Sequence, residues 1–180
     1  MIIAQVVLHR DVKPANVVLF PLPPIAAPPG TRTSFFDEWF SAPTLRFRAT
    51  LVDFGLATPV DPSVDRRLTA ETGSPRYMAP ENALGRAYGA PADVYSAALA
   101  SWAAAAGDRP FRSLDETQFR FLVVKRGHRP GPVKGAPPGL AAVLDAAWDP
   151  EPERRPDAAA LAAGLTEALI GVRFGDLAAA

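Results

Sequence analysis

Cysteine is missing from all 180 residues of this chain. Its absence excludes disulfides, thiolate metal sites and cysteine nucleophiles together, and it is compatible with a reducing compartment. Net charge is missing too: 19 Lys and Arg balance 19 Asp and Glu. No basic footprint therefore points to nucleic acid or to an anionic membrane surface. No apolar run approaches the ~18 residues that span a bilayer, and the start, Met1-Ile2-Ile3, lacks a signal-like basic region. A cytoplasmic or nuclear protein without nucleic-acid partner or membrane span is expected. What is present is a globular balance of 48% hydrophobic and 21% charged residues, with 20 prolines.

The most informative stretch is His9-Arg10-Asp11-Val12-Lys13-Pro14-Ala15-Asn16-Val17. It places a carboxylate, an ammonium and an amide on a segment too short and too Pro-punctuated for a helix. Val6-Val7-Leu8 and Val17-Val18-Leu19-Phe20 flank it, and each reads as a short buried strand. A polar loop between two strands is a common mount for catalytic groups. Beyond it, residues 21–44 hold Pro21, Pro23, Pro24, Pro28, Pro29 and the cluster Phe35-Phe36-Asp37-Glu38-Trp39-Phe40. Proline at that density predicts extended chain rather than helix or central strand. The aromatic cluster reads either as a docking motif for a partner, or as a surface loop lying against the domain or a translated intron.

From Leu45 to Val52 apolar and polar residues alternate, with Leu45, Phe47, Ala49 and Leu51 on one face of a strand. That strand delivers Asp53-Phe54-Gly55. Residues 56–81 show no sustained period and read as a loop, ending in Gly73-Ser74-Pro75-Arg76-Tyr77-Met78-Ala79-Pro80-Glu81. Pro91 opens a helix running to about Ala106 and stopped by Gly107; apolar on nearly every side, it is expected in the centre of the core. Ser113-Leu114-Asp115-Glu116 has capping-box spacing and opens a helix ending near Gly127. Leu140, Val143, Leu144, Ala147 and Trp148 form one helical stripe, and Leu161, Leu165 and Leu169 mark a last amphipathic helix behind Pro156-Asp157.

In this order the motifs resemble a eukaryotic-type protein kinase: His-Arg-Asp with Lys-Pro-x-Asn, then Asp-Phe-Gly, then an activation segment closing in Ala-Pro-Glu. The details around Gly73–Glu81 and Trp148-Asp149-Pro150…Arg155-Pro156 look most like the tyrosine-kinase-like group of Ser/Thr kinases, the Raf-like or mixed-lineage sort. The fold implied is mainly α with a small β-hairpin, a kinase C-lobe over residues 1–170 with 21–44 as an insertion and 171–180 as a tail. Only eight residues precede His9, so the Gly-rich loop, strand lysine and helix glutamate of an N-lobe are expected to be absent from this stretch of chain.

The resemblance assigns roles. Asp11 orients a protein hydroxyl and accepts its proton, and Lys13 places positive charge near the transferring phosphoryl group. Asn16 and Asp53 are Mg²⁺ ligands, with Phe54 packed beneath Asp53 and Gly55 permitting the turn. Ser74 contacts the catalytic Asp and Lys in Ser/Thr-type kinases. Arg10 receives a phosphate from Thr69 or Thr72, placed there by an upstream kinase. His9 packs, Asp93 holds the catalytic-loop backbone or caps its helix, and Glu81 pairs with Arg155. ATP and Mg²⁺ are the implied cofactors and protein Ser/Thr hydroxyls the implied substrates. Two functions stand at this stage: a Ser/Thr kinase whose isolated C-lobe is inactive, and a catalytically silent, pseudokinase-like module that binds protein partners. His128, in a Gly/Pro loop, receives no role.

Overall fold

The computed structural model describes residues 6–22, 46–60, 68 and 72–175. The chain divides into two compact units, Met1–Pro14 with Asp53–Ala180, and Ala15–Val52. The aromatic cluster at 35–40 and most of the 21–44 insertion lie outside the described residues.

The smaller unit contains β2 (Val17–Leu22) paired antiparallel with β3 (Arg46–Leu51), in the register Val17 opposite Leu51 and Leu22 opposite Arg46. Pro21 and Leu22, expected in the insertion, belong to this ladder. A two-stranded ribbon has only edge strands, where a residue without an N–H is tolerated. The expected burial fails here. Val18, Leu19, Phe20 and Phe47 are 39%, 58%, 43% and 47% exposed. Each strand's only ladder partner among the described residues is the other. Arg48 lies over the Phe20 ring, 5.7 Å from its centroid.

In the larger unit, β1 (Val6–Leu8) pairs antiparallel with β4 (Thr58–Val60), Leu8 opposite Thr58. Leu8 is buried but Val7 is 54% exposed, so this strand is buried on one face only. Among the described residues, five α-helices follow: α1 (Pro80–Ala83), α2 (Ala90–Ala106), α3 (Glu116–Phe119), α4 (Leu140–Ala147) and α5 (Ala158–Gly175). α3 widens directly into a π-helical turn, Arg120–Lys125.

The core gathers around α2, as its composition predicts. Tyr95, Ala98 and Leu99 are fully buried, joined by Val123, Leu144, Trp148 and Leu161. Gly107 stops α2 in the left-handed conformation, φ 64°. Three local expectations change. The capping box uses Asp115 and Gln118 rather than Ser113 and Glu116: Gln118 N–H donates to Asp115 Oδ1 (2.8 Å), and Asp115 N–H donates to Gln118 Oε1 (3.1 Å). α5 runs through Gly175, so residues 171–175 are helical rather than tail. Its buried stripe is Leu161 and Ala168, whereas Leu169 is 62% exposed. At about 100° per residue, position 168 returns to within about 20° of 161, while 169 lies about 80° away.

Candidate active site

The segment His9–Lys13 is held from below by α2. Asp93 sits in the first turn of that helix, not at its cap, which is Gly89. Its carboxylate accepts the backbone N–H of His9 (2.6 Å) and of Arg10 (2.9 Å). Burial pushes the Asp93 carboxyl up, and those two bonds oppose the push. Arg10 takes a left-handed conformation (φ 65°), uncommon for a residue with a Cβ. The two backbone bonds to Asp93 help hold it there, and Arg10 Nε donates to the Leu56 carbonyl (2.5 Å). His9 is buried, meets Phe54 edge to face at 4.8 Å, and its Nδ1 accepts from the Asp11 N–H (3.3 Å).

Asp11 is the centre of the cluster. Lys13 Nζ donates to Asp11 Oδ2 and to Ser74 Oγ, each at 2.7 Å, and the Ser74 N–H donates to Asp11 Oδ1 at 2.9 Å. Burial pushes the Asp11 carboxyl up, but the bonds from Lys13 and Ser74 and the charge of Lys13 outweigh it. The net pKa lies below the usual value. Asp11 is thus an ionised acceptor with one ammonium beside it, and 10% of its side chain remains open. Sequence separation does not limit this triangle: Ser74 arrives from the far end of the activation segment.

The Asp-Phe-Gly triplet differs from expectation in two ways. The left-handed residue is Asp53 (φ 63°), not Gly55, and the Asp53 carboxylate accepts from the Gly55 N–H at 3.4 Å. A Cβ on Gly55 would meet that carboxylate at 3.3 Å, so the small side chain leaves room for the acid rather than for a backbone turn. Phe54 is 57% exposed, with the His9 ring as its described aromatic contact, instead of packed beneath Asp53. Asn16 lies in the smaller unit. Its side chain is buried and its carbonyl accepts from the Val52 N–H at 2.9 Å.

The end of the activation segment is pinned by residues that the sequence did not single out. Gly73 has φ 108°, and a Cβ there would lie 2.2 Å from the Arg10 carbonyl oxygen. Only glycine lets the two backbones approach so closely. Asn82 Nδ2 donates to the Thr72 carbonyl (3.0 Å), and Arg76 donates to the carbonyls of Phe111 and Leu114. A glycine before the serine was a legible signal; Asn82 and Arg76 gave none, since their partners lie 10 and 35 or more residues away. Thr69 falls outside the described residues, and Thr72 is half-buried. Glu81 and Arg155 form a buried two-point pair, Nη1 to Oε1 at 2.7 Å and Nη2 to Oε2 at 2.9 Å. Arg155 also donates to the Pro91 and Asp149 carbonyls. His128 has a ring neighbour after all, Phe111 at 6.4 Å.

A model of the protein kinase domain matches residues 1–163. The chain belongs to the protein kinase family. Kinases of this family generally use ATP and Mg²⁺. Among similar proteins is the serine/threonine-protein kinase STY17 of Arabidopsis thaliana, 31% identical over 151 residues, 84% of this chain and 22% of that protein. The serine/threonine/tyrosine-protein kinase HT1 of the same plant is 28% identical over 154 residues, 86% of this chain and 33% of that protein. A probable serine/threonine-protein kinase of Dictyostelium discoideum is 28% identical over 150 residues, 83% of this chain. The chain thus spans 14% to 33% of the length of these relatives. No described helix is long and apolar enough to cross a membrane.

Proposed function

We propose that this chain carries the hydroxyl-activating half of a protein serine/threonine kinase of the tyrosine-kinase-like group. The observation that supports it best is the triangle of Asp11, Lys13 and Ser74, closed by three bonds of 2.7–2.9 Å. In this reading Asp11 orients the attacking Ser or Thr hydroxyl of a protein substrate and accepts its proton. The bonds from Lys13 and Ser74 that lower its pKa fix the carboxylate in its ionised form, which suits it to orient the hydroxyl by accepting a hydrogen bond. Lys13 balances the negative charge that gathers near Asp11, and Ser74 holds Lys13 in place. ATP with Mg²⁺ supplies the phosphoryl group. Asp53 fits such a cation, because its carboxylate is exposed and accepts in the described structure only one long bond, from Gly55. Oxygen donors suit Mg²⁺, and the motif supplies a second one in Asn16. Arg10 remains the receiver for a phosphorylated Thr69 or Thr72, set by an upstream kinase.

The test is phosphate transfer from radiolabelled ATP to protein substrates by the full-length protein, with Asp11→Asn as comparison. Loss of about a hundredfold or more is expected. A second reading, a catalytically silent module that binds protein partners, draws on one observation, the exposed apolar hairpin Val18, Leu19, Phe20 and Phe47. Transfer indifferent to Asp11→Asn would favour it.

A further inference from the structure

A cleft of about 700 Å³ lies within the larger unit, lined by α1, by the end of the π-helical turn and by the turn at Pro152–Arg154. Asp11, Lys13 and Ser74 do not line it, so it is separate from the cluster described above. Its lining is charged. Arg86, Lys125, Arg126 and Arg129 bring four cations, and Glu151 and Glu153 bring two carboxylates. Glu81 also reaches the cleft, but both of its oxygens are engaged by Arg155. Four cations against two available carboxylates leave an excess of two positive charges.

The fold does not use these cations up. Arg86 and Lys125 are exposed, and no ion pair among the described residues takes up their charge. Arg126 lies over the Phe121 ring, 5.3 Å from its centroid, a contact with a ring face rather than with an anion. Arg129 is fixed in place: Nε donates to the Trp148 carbonyl (2.9 Å), Nη1 donates to the His128 carbonyl (3.1 Å), and the guanidinium lies over the Tyr95 ring. Its Nη2 is buried with no acceptor among the described residues, which is unusual for a buried donor. Lys125 is the last residue of the π-helical turn, a geometry that concentrates at functional sites.

Pockets for uncharged small molecules are mostly apolar with a few polar groups, and this lining is the reverse. A compact polyanion would bring its whole charge against Glu151 and Glu153 as well as against the arginines. An extended peptide can set spaced carboxylates opposite the cations and pass the two glutamates with neutral residues. Guanidinium groups match carboxylate geometry well. We propose that this cleft docks a segment of a partner protein in which acidic side chains alternate with neutral ones. The inference goes beyond the kinase reading and does not depend on it, since no step of phosphoryl transfer takes part.

The experiment measures binding to the full-length protein by fluorescence anisotropy at low salt. The probe is a labelled octapeptide alternating Glu and Gly; its Lys and Gly counterpart and inorganic pyrophosphate serve as alternatives. The Glu peptide should bind, the Lys peptide should not, and added salt should weaken the binding. Arg86→Glu and Lys125→Glu should each raise Kd by about fivefold, the size of an exposed ion pair. Arg86→Lys should retain binding, and Glu153→Gln should tighten it. Lys134→Glu reverses an exposed charge outside the cleft and should leave Kd unchanged. No binding of the Glu peptide, a Kd unmoved by Arg86→Glu and Lys125→Glu, or an equal loss with Lys134→Glu overturns the proposal. Pyrophosphate that displaces the peptide and binds more tightly also overturns it, because the cleft would then select compact anions.

Discussion

Helix α2 and the β2–β3 hairpin are written in similar apolar letters and end in opposite surroundings. On α2, Val94, Tyr95, Ala98 and Leu99 are 0–4% exposed; on the hairpin, Val18, Leu19, Phe20 and Phe47 are 39–58% exposed. α2 is packed by β1, by the turn at Pro75–Tyr77, by α4 and by the turn at Pro152–Arg154. The hairpin strands have ladder partners only in each other among the described residues. A helix can be covered all round, whereas a lone two-stranded ribbon has two faces and nothing of its own to cover them. Apolar composition therefore announces that surface wants burial. It does not say that burial has been supplied.

The contrast can be broken most forcefully at the pair that seals the ends of α1 and α2. Arg155 has no exposed side-chain surface and Glu81 only 7%. Glu81→Gln leaves the guanidinium buried without its counter-charge, and a loss of about 3–5 kcal/mol is expected in chemical denaturation. Next comes Leu99→Ala in the centre of α2. Removing a fully buried leucine costs about 2–5 kcal/mol, depending on how far the cavity collapses. A loss below about 1 kcal/mol would show that α2 is less tightly packed than its burial indicates.

One α2 residue should move the other way. The Tyr95 ring lies between two guanidiniums, Arg129 and Arg155, each 5.0 Å from its centroid, and its hydroxyl is buried with no described hydrogen-bond partner. Burial pushes this hydroxyl up to about 12, against the pull of the two arginines. Tyr95→Phe removes an unsatisfied polar group and keeps the ring, so a gain of about 1 kcal/mol is expected, read as a rise in Tm of several degrees.

Acid sharpens the comparison within the larger unit. The Asp11 pKa is depressed in the folded state. Its contribution to stability is therefore complete above the unfolded value of about 3.9 and is lost as pH falls through the lower folded value. The difference in denaturation midpoint between wild type and Asp11→Asn should shrink on acidification from about pH 6 to about pH 3. Asp93, present in both proteins, cancels in that difference. The smallest effect belongs to the hairpin. Leu19 is 58% exposed, and Leu19→Ala should alter stability by no more than about 0.5 kcal/mol. A cost near that of Leu99→Ala would show that a partner or further chain covers the hairpin under the assay conditions.

Much of this protein was legible in one dimension because its chemistry is local. His9 through Asn16 and Asp53-Phe54-Gly55 are short motifs whose residue types carry their meaning at fixed spacing. The four longer helical segments were legible by different signs, α2 by its all-round apolar composition, α3 by capping-box spacing, and α4 and α5 by apolar stripes, with Gly107 and Asp157 as punctuation; Asp157 Oδ1 accepts the Ala160 N–H at 2.7 Å. Where reading by period failed, geometry explains it: Leu169 is one residue past the stripe, and Asp115 rather than Ser113 stands where Gln118 can reach back. Other features were decided by tertiary structure alone. Which carbonyls Arg76 holds, why Gly73 must be glycine beside Arg10, and that the hairpin remains exposed all depend on segments tens of residues apart in the chain. Sequence pattern records the preferences of each residue for its near neighbours. Close approach of distant backbones, and the charges and surfaces left over once the core is packed, exist only after the chain has folded.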